Sequence, residues 1–215
     1  MSVRVSVLVV ALVGAGVGAL VQAQRGLPPD IDPVTLSRLP APSAQDLDDE
    51  GRRLFAGRLD FKPGPGPTHL TIYSPRERSL GIPSGENSPV GARNFQLAVL
   101  IMAREIDQQY EWSAHEPAAR RQGLEQSVID VVKHNRDVTG LSDKDATFIT
   151  FGRTLYREHR VSSELWAKMV GHFGRQHTVQ LMMIMGDYFR VGFMMNAVDQ
   201  HLPPTREPLL PELKR

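Results

Sequence analysis

Hydrophobic positions in the second half of the chain recur every three to four residues. In "GARNFQLAVLIMAREID" the set Phe95, Val99, Met102 and Ile106 falls on one side of a helix, with Ser88 as N-cap and Pro89 at the first helical position. "SDKDATFITFGRTLYREH" opens with Ser142, Asp143 and Asp145 in capping-box-like order, and "SSELWAKMVGHFG" repeats the device, with Ser162 before it and Gly174 after it. Between them, "QQYEWSAHEPAARRQGL" ends on Gly123, the residue type suited to a left-handed C-cap, and "EQSVIDVVKHN" is a short further helix. Pro117 lacks an N–H to donate and predicts a kink close to His115. The last pattern, residues 176–200, is apolar nearly all round and holds five methionines, which reads as the buried central helix of a bundle. Asp187 and Arg190 near its middle argue against a membrane span. No segment alternates in the manner of strands joined by hairpin turns, so the fold class is all-α, a helical bundle.

The first half is patterned differently. Residues 5–21 are apolar or small without interruption behind Arg4, and Val21, Gln22 and Ala23 offer small side chains for cleavage, so residues 1–23 read as a signal peptide for export to the periplasm or beyond. The alternative is an uncleaved N-terminal membrane anchor. Residues 24–42 are proline-rich and read as an extended leader. A short amphipathic helix follows, with Ser43 as N-cap and Leu47, Leu54 and Phe55 near one face. Residues 63–91 contain six prolines and five glycines, a density that breaks regular structure apart from one short helix starting at Ser74 and stopped by Pro83. A loop of this length inside a domain reads as a lid or an oligomer contact. The helical domain then occupies residues 43–204, with residues 205–215 as a C-terminal tail.

Composition narrows the function. The 215 residues, 41% hydrophobic, suffice for one domain with its own core. Loss of residues 1–23 removes Arg4 and no acid, leaving basic and acidic side chains equal in number, so neither nucleic acid nor an acidic membrane surface is implied as a partner. There is no cysteine, which excludes disulfides, thiol redox chemistry and thiolate metal sites.

Candidate chemistry centres on Glu111 and His115, four apart and therefore on one helix face. Either the carboxylate orients the imidazole as a proton donor, or the two form a surface ion pair worth at most about 1 kcal/mol. On the neighbouring ridge the Trp112 indole belongs to the core and Glu116 is placed to pair with Arg120. His115 and Glu116 begin like a zinc-binding HExxH helix, but position 119 is Ala119, so no metal is implied. His172 and His177 read as surface or capping histidines. Asp187 and Arg190 are spaced to satisfy each other, while Tyr188 either finds a partner in the core or donates to a ligand in a pocket floored by Met and Phe.

Taken in order, "FQLAVLIMAREIDQQYEWSAHEPAARRQGL", "LYREHRVSSELWAKMVGHFG" and "VQLMMIMGDYFRVGFMMNAVDQHLPP" resemble the carboxymuconolactone decarboxylase family, which shares its fold with the alkylhydroperoxidase-D-like proteins. The resemblance spans residues 88–204, and its most specific piece is "QYEWSAHEP". It implies an all-helical fold assembled as a homotrimer or hexamer, with the active site on the helix carrying that run and close to a subunit interface. In the redox branch this helix bears a Cys-x-x-Cys pair, which falls here at Gln109 and Trp112; its histidine corresponds to His115 and its earlier glutamate to Gln96. Thiol peroxidase activity is thereby excluded. The decarboxylase branch implies a cofactor-free lyase acting on a small carboxylated lactone, with His115 as acid, Glu111 as its orienter, Tyr188, Trp112 and Gln96 as substrate contacts, and no metal. The alternative is a non-catalytic oligomeric binding protein of the same fold.

Overall fold

A computed structural model describes residues 27–41, 43–46, 49–56, 64–67 and 85–213. The signal peptide read at residues 1–23 and the short helix expected between Ser74 and Pro83 lie outside them. The helices are α1 (Asp49–Ala56), α2 (Ala92–Glu105), α3 (Gln109–Arg121), α4 (Gln126–Lys133), α5 (Asp143–Glu158) and α6 (Ser163–Ala197). Among the described residues there is no strand, only an isolated bridge between Asp32 and Ser37. The class is all-α, as the periodicity predicts, and no described helix is long and apolar enough to cross a membrane.

Helix ends follow their capping residues. Ser142 Oγ accepts from the Asp145 N–H at 3.1 Å and Ser162 Oγ from the Leu165 N–H at 3.1 Å. Gly123 has φ 82° and the Leu124 N–H returns to the Ala119 carbonyl at 2.9 Å, closing α3. One expectation changes. The helix expected to start at Ser88 starts at Ala92, because Gly91 adopts φ 81° and the Gly91 N–H closes a turn onto the Ser88 carbonyl. Pro117 lies inside α3, which continues to Arg121.

The centre of the bundle is α2, not the last helix. Residues 95–104 are all buried, because α3, α4, α5 and α6 pack around them. α6 supplies Leu181, Ile184, Met185 and Met195 to the interior but leaves Val179, Met183, Phe189 and Phe193 exposed on its outer side. An apolar pattern all round a helix does not say which side its own chain covers. α6 is also broken at Gly174 (φ 71°, ψ 163°), where the preceding helix was expected to end. α5 comes close to α2 and α6 at Gly152, where a Cβ would lie 2.5 Å from Ile101 Cγ2 and 3.1 Å from Met185 Cε.

The segments flanking the bundle are built onto it. Residues 27–41, expected as an extended leader, fold back. Asp32 Oδ1 accepts from the N–H groups of Val34 and Thr35, and this turn docks on the end of α6 through Arg38 N–H to Val198 O (2.8 Å) and His201 N–H to Leu36 O (2.9 Å). The tail beyond residue 204 packs as well. The Leu209 N–H donates to Ser113 Oγ at 3.0 Å, Leu210 enters the core, and Arg104 Nη1 donates to the Pro211 carbonyl at 2.8 Å.

Glu116 on α3 is wholly buried and fully used. It accepts from Trp112 Nε1 at 2.5 Å, pairs with Lys133 Nζ of α4 at 2.8 Å, and pairs with Arg120 one turn on. Removing Glu116 strands the Trp112 N–H and the Lys133 ammonium away from water, while Arg120, half exposed, stays solvated. Glu116→Ala is expected to lower the unfolding free energy by about 3–5 kcal/mol in urea titrations; a loss below about 1 kcal/mol would mean that Lys133 reaches solvent instead.

Candidate functional site

The site begins with the cap of α3. Gln108 Oε1 accepts from the N–H groups of Tyr110 (2.6 Å) and Glu111 (3.3 Å), while its Nε2 donates to Asn196 Oδ1 on α6 at 2.7 Å. Asn196 in turn donates to the Ile106 carbonyl at 3.0 Å. Gly192 permits this approach, since a Cβ there would lie 2.8 Å from Ile106 Cδ1. With the helices held in this phase, Tyr110, Glu111, Ala114 and His115 of α3 face Ile184, Asp187, Tyr188 and Val191 of α6. Phe95, Pro67 and Arg206 complete the wall of a cavity of about 400 Å³, a volume suited to a small organic molecule.

His115 is held from both sides. Its Nε2 lies 3.2 Å from Glu111 Oε2 and its Nδ1 lies 2.8 Å from Gln96 Oε1. Glu111 is 4% exposed and Gln96 3%, so this is not a surface ion pair. Facing two oxygens, the ring has the partner set that an imidazolium fills with both of its N–H donors. Tyr188 meets the His115 ring edge-on, with centroids 5.1 Å apart at 90°, and meets Phe95 in the same manner at 5.6 Å. Burial pushes the Tyr188 phenol far above its ordinary value, and the charges of Glu111 and Asp187 push it the same way. It therefore stays neutral, and its hydroxyl has no hydrogen-bond partner among the described residues. Asp187 lines the cavity while pairing with Arg190 at 3.0 Å.

Of the residues singled out from the sequence, Glu111, His115 and Tyr188 meet on one cavity. Gln96 stands behind His115 and touches the cavity only through it. Trp112 does not reach it. One residue beyond Glu111 turns the side chain by about 100°, and the indole is buried with its N–H on Glu116. His172 pairs with Asp143 on the surface at 2.8 Å. Two polar residues of the cavity wall escaped sequence reasoning. The Arg206 guanidinium lies over the Tyr110 ring at 4.9 Å, and the Tyr110 hydroxyl donates to the Pro65 carbonyl at 3.1 Å. A single arginine in a proline-rich tail gives no local signal. Among the described residues no group of three or more His, Asp or Glu side chains is arranged to hold a metal.

No family model and no curated protein sequence matches the chain. Among solved structures it is similar to an alkylhydroperoxidase AhpD core, an uncharacterized peroxidase-related protein from Ralstonia eutropha JMP134. The identity is 17% and the TM-score 0.56, over 78% of this chain and 93% of that one. The chain has the alkylhydroperoxidase-D-like fold. A debrominase in complex with tribromopyrrole is similar at 9% identity and TM-score 0.48, over 73% of this chain and 85% of that one. This chain carries no cysteine, so Glu111, His115 and Tyr188 line its cavity and no thiol does.

The raised Tyr188 value has a pH signature. The native protein keeps a proton that the unfolded chain releases, so this group's contribution to stability is intact below about pH 10 and falls as pH rises beyond it. The difference in alkaline absorbance between wild type and Tyr188→Phe is expected to show no phenolate growing in near pH 10 while the protein is folded. Tyr188→Phe should also flatten the alkaline decline in stability.

Proposed function

We propose that the cavity is the active site of a cofactor-free lyase acting on a small carboxylated lactone, with His115 as the acid. The observation that supports this most directly is the buried set of Glu111, His115 and Gln96 on the wall of a small-molecule cavity. In the proposed reaction the bond to the departing carboxylate breaks and its electron pair passes into the adjacent unsaturated carbonyl. The resulting carbanion takes the proton from His115 Nε2, the nitrogen on the side of the cavity-lining Glu111. Water then restores the proton, so the balance is one carboxylate and one proton giving carbon dioxide and the protonated product. Glu111 orients the ring, and Gln96 holds Nδ1 so that Nε2 is the nitrogen presented. Tyr188 offers an unused hydroxyl to the substrate carbonyl.

Turnover of a panel of lactone acids in deuterated water tests the reading. Wild type should release carbon dioxide and place one deuterium on the product carbon, and His115→Ala should lose about 10²- to 10⁴-fold in rate. Equal turnover by His115→Ala overturns the assignment, and binding of these acids without turnover by wild type replaces the lyase with a binding protein.

We further propose that the protein is exported and assembles as a homotrimer or hexamer. The exposed side chains Val179, Met183, Phe189 and Phe193 support assembly, since they recur along one side of α6, with Phe193 63% exposed and stacked on Phe189. Sedimentation should find wild type oligomeric and the double variant Met183→Glu, Phe193→Glu monomeric; a monomeric wild type would remove this proposal.

A further inference from the structure

Among the described residues, Arg206 is a cation of the cavity wall that no acid answers. It comes from the tail, which turns so that the Arg206 N–H meets the Pro203 carbonyl at 2.9 Å. Three residues on, the Leu209 N–H is pinned to Ser113 Oγ at 3.0 Å and Leu210 is buried in the core. The turn lays the guanidinium 4.9 Å from the Tyr110 ring centroid, and Tyr110 is itself held by its bond to the Pro65 carbonyl. The other charges of the wall are matched, Asp187 by Arg190 at 3.0 Å and Glu111 by His115 at 3.2 Å. Among the described residues no carboxylate lies within ion-pair reach of Arg206, and its Nη1 is buried with no hydrogen-bond partner. A buried donor without an acceptor is costly and rare in folded proteins. A guanidinium laid against an aromatic ring keeps a planar fork of donors free for a carboxylate.

We infer that Arg206 is an anion-binding residue of the cavity, delivered by the C-terminal tail, and that it takes the carboxylate of a compact organic acid. The inference rests on the cavity being the ligand site proposed above, and it does not depend on His115 being an acid. A carboxylate paired with a guanidinium is stabilised as an anion, so in a substrate of the proposed lyase the group held by Arg206 is a second carboxylate, separate from the one that departs. Arg206 thus sets which end of a ligand lies at Tyr110 and which lies at Glu111 and His115.

The test is calorimetric binding of two acids, furoate and butyrolactone-γ-carboxylate, to the full chain, each beside its neutral primary amide. Wild type should prefer at least one acid over its amide by about ten- to a hundred-fold, the range expected for a hydrogen bond to a charged group. Arg206→Gln should abolish that preference and Arg206→Lys should keep part of it. His115→Ala should leave the preference in place while removing turnover, which separates failure of this inference from failure of the lyase reading. Ser113→Ala, which takes away the acceptor of the Leu209 N–H, should weaken acid binding with Arg206 intact, and it carries the test should Arg206→Gln not fold. No preference for either acid in wild type, or an undiminished preference in Arg206→Gln or, should that not fold, undiminished acid binding in Ser113→Ala, overturns the inference.

Discussion

Gln108 joins the two helices that face each other across the cavity. Its carbonyl oxygen caps α3, and its amide nitrogen reaches Asn196 on α6. The first N–H groups of a helix have no partners within it, so the residue that satisfies them fixes where the helix starts and which side chains each face presents. Starting α3 one residue earlier or later would swing His115 by about 100° away from α6. Gly192 is the other half of the arrangement, since any side chain there would occupy the space of Ile106 and Gln108. Much of the site therefore depends on an uncharged contact at its edge.

α3 carries two buried glutamates put to different uses. Glu116 is saturated by Trp112, Arg120 and Lys133, which ties α3 to α4 and leaves the carboxylate no freedom. Glu111 shares its charge with the His115 ring and borders open space. Neighbouring ridges of one helix thus separate the acid that anchors the fold from the acid that faces the cavity.

Much of this was legible in the sequence wherever a local rule decides the outcome. Ser142, Ser162 and Gly123 mark helix ends because capping involves residues only a few positions apart. Glu111 and His115 meet for the same reason. Gln96 lies 19 residues from His115; the family resemblance singled it out as a substrate contact, and its bond to His115 was legible in neither spacing nor resemblance. The centrality of α2 was missed because α2 and α6 are both strongly apolar, and periodicity does not say which of two apolar helices is wrapped by the others. Arg206 was missed because its place depends on Leu209 meeting Ser113, 96 residues earlier, and on Leu210 entering the core. Trp112 was set beside the site as a substrate contact by the resemblance although its indole already read as core, which is where the structure puts it.

Gln96 changes meaning once its partner is known. A carboxylate at this position could only accept from Nδ1, whereas an amide accepts through its oxygen and, turned half a revolution about its last bond, donates through its nitrogen. The same side chain can therefore hold the His115 ring with the proton on Nδ1 and without it. In the proposed reaction the proton leaves Nε2, so Nδ1 keeps its proton and its bond to the Gln96 oxygen throughout; a neutral amide then holds the ring in one orientation in both states, and neither it nor the surrounding core has to move.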